Sequence, residues 1–205
     1  MKKVFSIIAA GILFLGQAGW VAADTKTFTV SATIPSATGV GINAFQYDAA
    51  TNNRTAVTGT ALNFNPMTFN ASTNVFLPNH YFAIEVAPVS GSGNTDVTLS
   101  YTEGANPASP NHGLGWRSVA TFFKVTGGST ETALSSHGPK KMLKDLAGEH
   151  VTPAELASAF LRVYVGIVTK DPGATIPDPA SSEVFTNATP AGNYDGSLVV
   201  TATVT

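Results

Sequence analysis

Apolar and polar residues alternate in several short runs along this chain. Residues 27–34 read TFTVSATI, and Pro35 follows. Alternation with a period of two is typical of a half-buried β-strand, and proline ends the run because it has no N–H for a sheet ladder. Phe28, Val30, Ala32 and Ile34 are therefore predicted to share one face of a strand. Similar runs predict further strands at 40–47, 60–65, 81–87, 96–101, 120–126, 161–168 and 197–204.

Segments rich in Gly, Pro, Asn and Ser separate these runs, most clearly at 90–94, 103–113 and 171–182. Many short strands joined by such turns are typical of a β-sandwich. Two segments differ from this pattern, because 139–146 and 152–160 are predicted to be helical. Thr152, Pro153 and Glu155 have the order of an N-cap, a first helical residue and a capping box. We therefore expect one all-β domain with a short helical insertion between residues 139 and 160.

The first residues predict export. Lys2 and Lys3 precede an apolar run at 4–16, and small residues occupy 21–23. This order is that of a secretory signal peptide, so we expect residues 1–23 to be removed after Ala23. A membrane anchor is the alternative, but the run is shorter than the roughly 20 residues that a spanning helix needs.

The amino-acid composition excludes several classes of function. Charged residues make up only 12% of the 205 residues, and the formal net charge is -2. No basic surface is therefore expected that would attract nucleic acid. The chain contains no cysteine, which excludes disulfides, thiolate metal sites and a cysteine nucleophile.

No catalytic, cofactor-binding or metal-binding residue is predicted. None of the four histidines lies in a metal-ligand motif, and two of them, His112 and His137, are expected to be solvated loop residues. An acid–base group of Glu149, His150 and Glu155 is the alternative, although acidic residues at a helix start are explained by the helix dipole. The chain also lacks a GxSxG nucleophile motif. We therefore expect that the protein is not an enzyme.

The sequence offers two alternatives for a ligand site. Asp171 and Asp178 lie in one loop and could share an ion, but their spacing is not that of an EF-hand. Trp116 and Tyr101 could form an aromatic platform for a sugar, whereas packing in the core or at an interface is the simpler expectation.

The two ends of the chain resemble one protein family. The segment 24–36, DTKTFTVSATIPS, resembles the N-terminal extension of the alternate, or class 5, chaperone–usher pilins. The segment 190–205, PAGNYDGSLVVTATVT, is similar to their C-terminal end, where Pro190, Gly192, Tyr194 and Gly196 precede a last alternating strand. LNFNP at 62–66 resembles an internal strand of these pilins. The segment 112–179 has no counterpart in the family pattern.

The resemblance implies an immunoglobulin-like β-sandwich that lacks one strand, with residues 24–36 as a donor-strand extension and 37–205 as the pilin domain. It implies export through the periplasm to a surface fimbria, with identical subunits, a periplasmic chaperone, an outer-membrane usher and a tip adhesin as partners. The donor residues would be Phe28, Val30, Ala32 and Ile34. The strand at the groove edge would present Leu198, Val200, Ala202 and Val204.

A secreted carbohydrate- or protein-binding β-sandwich module is the alternative function. Such a module would keep its N-terminal strand in its own sheet and remain a monomer, whereas a pilin would give this strand to a neighbour. A secreted enzyme is the least favoured interpretation, because the sequence predicts no pocket with converging titratable groups.

Overall fold

The computed structural model describes residues 26–33, 39–89, 94–105, 112–138, 140–170 and 183–204. The predicted signal peptide, Ile34, and the loop with Asp171 and Asp178 lie outside the described residues. Most of the described chain is β-structure arranged in several sheets, which confirms the all-β prediction. Within the described part, no helix has the length and apolar character needed to cross a membrane.

The strands follow the predicted runs, with short additional strands between them. In chain order they are β1 (Lys26–Thr33), β2 (Val40–Asp48), β3 (Arg54–Ala56), β4 (Ala61–Asn63), β5 (Met67–Asn70), β6 (Val75–Pro78), β7 (His80–Pro88), β8 (Thr95–Glu103), β9 (Ser118–Thr126), β10 (Thr130–Ala133), β11 (Lys141–Met142), β12 (Glu149–Val151), β13 (Phe160–Ile167) and β14 (Gly192–Val204).

Two large sheets form the layers of the molecule. Sheet I has the strand order β12-β8-β14-β1-β4. Sheet II has the order β10-β9-β13-β7-β2-β3, and β11 also pairs with β9. The hairpin β5–β6 is a separate two-stranded sheet.

Alternate residues of both sheets meet in one apolar core. Leu99 and Val200 from sheet I and Ile84 and Val163 from sheet II belong to the same cluster and have no exposed surface. Burying one side chain of this size contributes about 1.5–3 kcal/mol, so the core is the main source of stability in a chain without disulfides. The architecture is therefore a β-sandwich.

The helical prediction was largely wrong. Segment 139–146 contains the short strand β11 and a 3₁₀ turn at Leu143–Asp145 instead of an α-helix. Segment 152–160 forms a single helical turn, α1 (Pro153–Leu156), and β13 already begins at Phe160. In this arrangement Leu146 is completely buried in the core. Tertiary packing has overridden local preference.

The predicted capping box is confirmed. The backbone N–H of Glu155 donates to Thr152 Oγ1 (3.4 Å), and the backbone N–H of Thr152 donates to Glu155 Oε2 (2.9 Å). Ala157 follows in the left-handed conformation (φ 49°), which ends the helix after one turn.

Candidate functional site: the N-terminal strand and its neighbours

The first strand lies inside sheet I, between the last strand and a short inner strand. β1 runs parallel to β14 over all eight of its residues, from Lys26 opposite Gly192 to Thr33 opposite Val199. On its other side β1 is antiparallel to β4, with Thr29 opposite Asn63. β1 therefore fills the space between β14 and β4, and no other described strand joins these two.

Val30 is the buried centre of this strand. It has no exposed surface and lies in register with Gly196 on β14 and with Leu62 on β4, which is also completely buried. Thr29 is half-buried, and it lies opposite the exposed residues Asp195 and Asn63. The predicted face is therefore correct at this position, with valine toward the core and threonine away from it.

The other predicted donor residues are placed by their register. Phe28 lies opposite Tyr194, and Ala32 lies opposite Leu198. Ile34 is outside the described residues. Whether this strand is given to a neighbour stays a prediction, since a single chain offers β1 only its own groove.

The predicted edge residues line β14 on its core side. Leu198 and Val200 have no exposed surface, and Ala202 is 2% exposed. Val204 is the last residue of the strand, and 36% of its surface is exposed. β14 lies between β8 and β1, so this strand is internal to the sheet whenever β1 is present.

Gly196 allows a tyrosine to pack against the backbone beside Val30. A Cβ at position 196 would lie 2.0 Å from Tyr101 Oη, so only glycine leaves room for this ring. The Tyr101 hydroxyl donates to Glu103 Oε1 (3.0 Å), whose carboxylate also accepts from the Gly115 backbone N–H. Burial and the adjacent Glu103 carboxylate raise the pKa of Tyr101.

Tyr194 anchors the start of β14 at the turn that resembles pilins. Its ring is completely buried and meets the Phe185 ring edge-on, with 4.9 Å between ring centroids. Its hydroxyl donates to the Pro190 carbonyl (2.8 Å). The four-residue separation of Pro190 and Tyr194 therefore allows this hydrogen bond, which holds the turn at the start of β14.

The expectation for His137 was wrong, because this histidine is only 8% exposed. Its Nδ1 lies 2.7 Å from Glu149 Oε1, and its Nε2 lies 3.1 Å from Glu155 Oε1. Burial opposes ionisation of Glu149, but hydrogen bonds from Lys141 and His137 outweigh it and lower the pKa of Glu149. Glu149 and Glu155, the two glutamates of the alternative acid–base group, therefore contact His137 and not His150. No sequence motif indicated this contact.

The remaining histidines serve separate contacts. His150 pairs with Asp96 rather than with either glutamate of the predicted group. His80 is buried, and its Nε2–H donates to the Asn63 carbonyl (2.6 Å), which ties β7 of sheet II to β4 of sheet I. Glu149 and Glu155 contact different ring nitrogens of His137, and among the described residues no three acidic or histidine side chains are arranged so that they could hold a metal ion.

The arrangement of Trp116 argues against a sugar platform. The His112 ring stacks on the indole with 3.9 Å between centroids, and Lys144 Nζ lies 4.4 Å from the indole centroid. His112 also pairs with Glu183, which makes a second ion pair with buried Arg117 at 2.8 Å. His112 is exposed, as expected, but it is held in an ion-pair network rather than free in a loop.

No protein-family model matches the chain, and neither a curated protein nor a solved structure shows significant similarity to it.

Proposed function

We propose that this chain is a structural subunit of a surface fimbria and that it polymerises by exchanging its N-terminal strand. The position of β1 is the observation that supports the proposal. This strand fills a slot between β14 and β4, and both of these partners are distant from it in sequence. With the predicted signal peptide removed, β1 would lie at the start of the chain, as an exchangeable donor strand requires.

Exchange replaces one copy of the strand with an identical copy. The contacts of Val30 with the core and the ladders with β14 and β4 are then made between chains instead of within one chain. The energetic cost of leaving the slot is therefore largely offset by the same burial in a neighbour. Exchange also avoids an open sheet edge, which is otherwise prone to uncontrolled pairing.

The finer parts of the proposal follow the family resemblance. The body of residues 37–205 would be an immunoglobulin-like sandwich that lacks one strand, and residues 24–36 would be the donor extension. A periplasmic chaperone would cover the slot before assembly, and an outer-membrane usher would direct the exchange. A tip adhesin would complete the fibre, and this chain would have no enzymatic activity.

A secreted binding module is the second candidate, and one observation favours it. β1 is integrated into its own sheet with a completely buried Val30, as expected for a module that works as a monomer. The two functions differ in one measurable respect. A module retains β1 permanently, whereas a fimbrial subunit must release it.

Locking β1 in its own sheet tests this difference. The chain has no cysteine, so the double substitution Thr29→Cys and Asp195→Cys introduces only one possible disulfide within a chain, which is formed by oxidising the dilute monomer. These residues are in register on adjacent strands, and strand spacing of about 4.8 Å matches the Cα separation of disulfides. We expect the reduced variant to polymerise like wild type and the oxidised variant to remain a monomer in size-exclusion chromatography with light scattering.

The single-cysteine variants, blocked with a small alkylating reagent, control for the substitutions themselves. Polymerisation of the oxidised double variant at the wild-type rate would show that β1 is not the exchanged strand. A wild-type chain that stays monomeric at high concentration, also after mild warming, would favour the binding module.

A further inference from the structure

The slot that holds β1 has two sides, and they are held in place to different degrees. On one side, β14 is antiparallel to β8 along its length from Gly196 to Val204. On the other side, β4 is the last strand of sheet I, and β1 is its only partner among the described strands. The β14 side therefore has a long ladder that does not depend on β1, and the β4 side has none.

β1 itself is bound unequally by these two neighbours. Its ladder with β14 covers all eight of its residues, whereas its ladder with β4 covers only Thr29, Val30 and Ser31. Lifting β1 straight out of the sheet would break both ladders at once. Moving β4 aside first would break them in turn, and this first step costs the fewest hydrogen bonds. The slot is therefore expected to open on the β4 side.

β4 is anchored to the opposite sheet at its C-terminal end. His80 begins β7 of sheet II, is 5% exposed, and donates its Nε2–H to the Asn63 carbonyl (2.6 Å). Phe64, directly after β4, is completely buried. Its ring lies parallel to the His80 ring, with 6.4 Å between centroids, and meets the Phe82 ring edge-on at 5.0 Å. These contacts hold β4 beside β1.

The hydrogen bond is the directional part of this anchor. Ring packing tolerates small shifts, whereas a hydrogen bond requires the Asn63 carbonyl to stay within about 3 Å of the imidazole nitrogen. Such a bond typically changes an equilibrium or a rate by about three- to tenfold. Loss of the His80 donor would therefore loosen β4 while Leu62 and Phe64 remain in the chain to pack against the core.

We infer that His80 is a positioning residue for strand exchange, because it keeps β4 closed against β1 and thereby sets how fast β1 is released. The inference rests on the proposed function, since only a strand that is exchanged has a release rate to control. Leu62 on β4 and Val30 on β1 lie opposite each other and are both completely buried, which favours the closed state. Exchange requires β4 to move aside and then to close on the incoming strand.

Two substitutions at position 80 form a matched pair that tests the anchor. His80→Met removes the donor, whereas His80→Gln keeps an N–H donor on a side chain of similar size. The probe is a fluorescent peptide with the sequence of residues 24–36, which contains β1. Its uptake by the dilute exported chain is followed by fluorescence anisotropy. We expect His80→Met to take up the peptide about three- to tenfold faster than wild type and His80→Gln to stay close to the wild-type rate.

Val151→Ala controls for a general loss of stability. Val151 is completely buried on β12, which is the other edge strand of sheet I and is separated from β1 by β8 and β14. Its truncation should lower the urea midpoint but leave the rate of peptide uptake unchanged. The oxidised variant with Thr29→Cys and Asp195→Cys, in which β1 is tied to β14, gives the background signal. Circular dichroism confirms that each variant is folded.

The outcomes separate this inference from the proposed function. A rate for His80→Met no faster than that for His80→Gln would overturn the role of His80 alone. Acceleration by Val151→Ala as large as that by His80→Met would do the same, because release would then follow general stability. A wild-type chain that takes up no peptide, even after mild warming, would overturn both the role of His80 and the proposed function.

Discussion

Replacing Val30 by arginine is the sharpest test of how β1 is held. Val30 is completely buried between Gly196 and Leu62, and its neighbours in the core cluster are apolar. The substitution removes a buried valine, worth about 1.5–2 kcal/mol. It also puts a charge into a cluster of apolar side chains, which costs several kcal/mol more. The sum of about 5 kcal/mol or more is comparable with the entire stability of a typical domain.

Thr29→Arg is the matched control on the same strand. Thr29 is half-buried on the opposite face, beside the exposed Asp195, which offers an arginine a partner. Its effect should stay within about 1 kcal/mol. Urea denaturation followed by circular dichroism compares the two variants, and fibre yield compares them in an expressing host. Equal shifts of the urea midpoint, or equal fibre yields, would show that the Val30 face is not buried in the sheet or in the fibre.

Three further outcomes are expected. Gly196→Ala should destabilise the chain by about 1–3 kcal/mol in urea, because the methyl group would overlap the Tyr101 ring; unchanged stability would contradict this packing. Hydrogen bonds from the Thr152 backbone and Ser136 lower the pKa of Glu155 to about 2, so its stabilisation is complete above the unfolded pKa of about 4.5 and is lost as the pH falls toward 2. Glu155→Gln should therefore flatten the fall of the melting temperature between pH 5 and pH 2, and parallel curves would refute this. His112→Ala should leave assembly unchanged, since its ion pair is exposed; loss of assembly in a folded variant would indicate an unrecognised site.

The long strands could be predicted from the sequence because each presents an apolar face to the core between the two sheets, and β7 also buries part of its other face in a second cluster with Tyr47. The predicted runs at 81–87 and 161–168 correspond closely to β7 and β13. The first and last residues predicted for each of these two strands differ from the observed ones by one position. The predicted strand at 197–204 is really longer, as β14 begins at Gly192. Its first residues contain two glycines, which local propensity disfavours in a strand, and pairing with β1 and β8 overrides that preference.

The short strands and the segment at 139–160 could not be predicted. β3, β10 and β12 have three or four residues each, and they exist only because a longer strand supplies their hydrogen-bonding partner. Apolar residues in such short segments fit a helix or a strand equally well. The contact of His137 with Glu149 and Glu155 depends on where these turns are placed, so residue spacing alone does not reveal it.

The class of the fold and the face of β1 that carries Val30 could both be predicted from the amino-acid sequence. Both follow from local rules, because a period of two and a proline at the end of the run act within a few residues. The position of β1 between β14 and β4, parallel to the first and antiparallel to the second, could be seen only in the folded chain. An alternating strand can pair with any edge that buries its apolar face. The choice depends on which edges the rest of the chain leaves open, and that is a property of the whole fold.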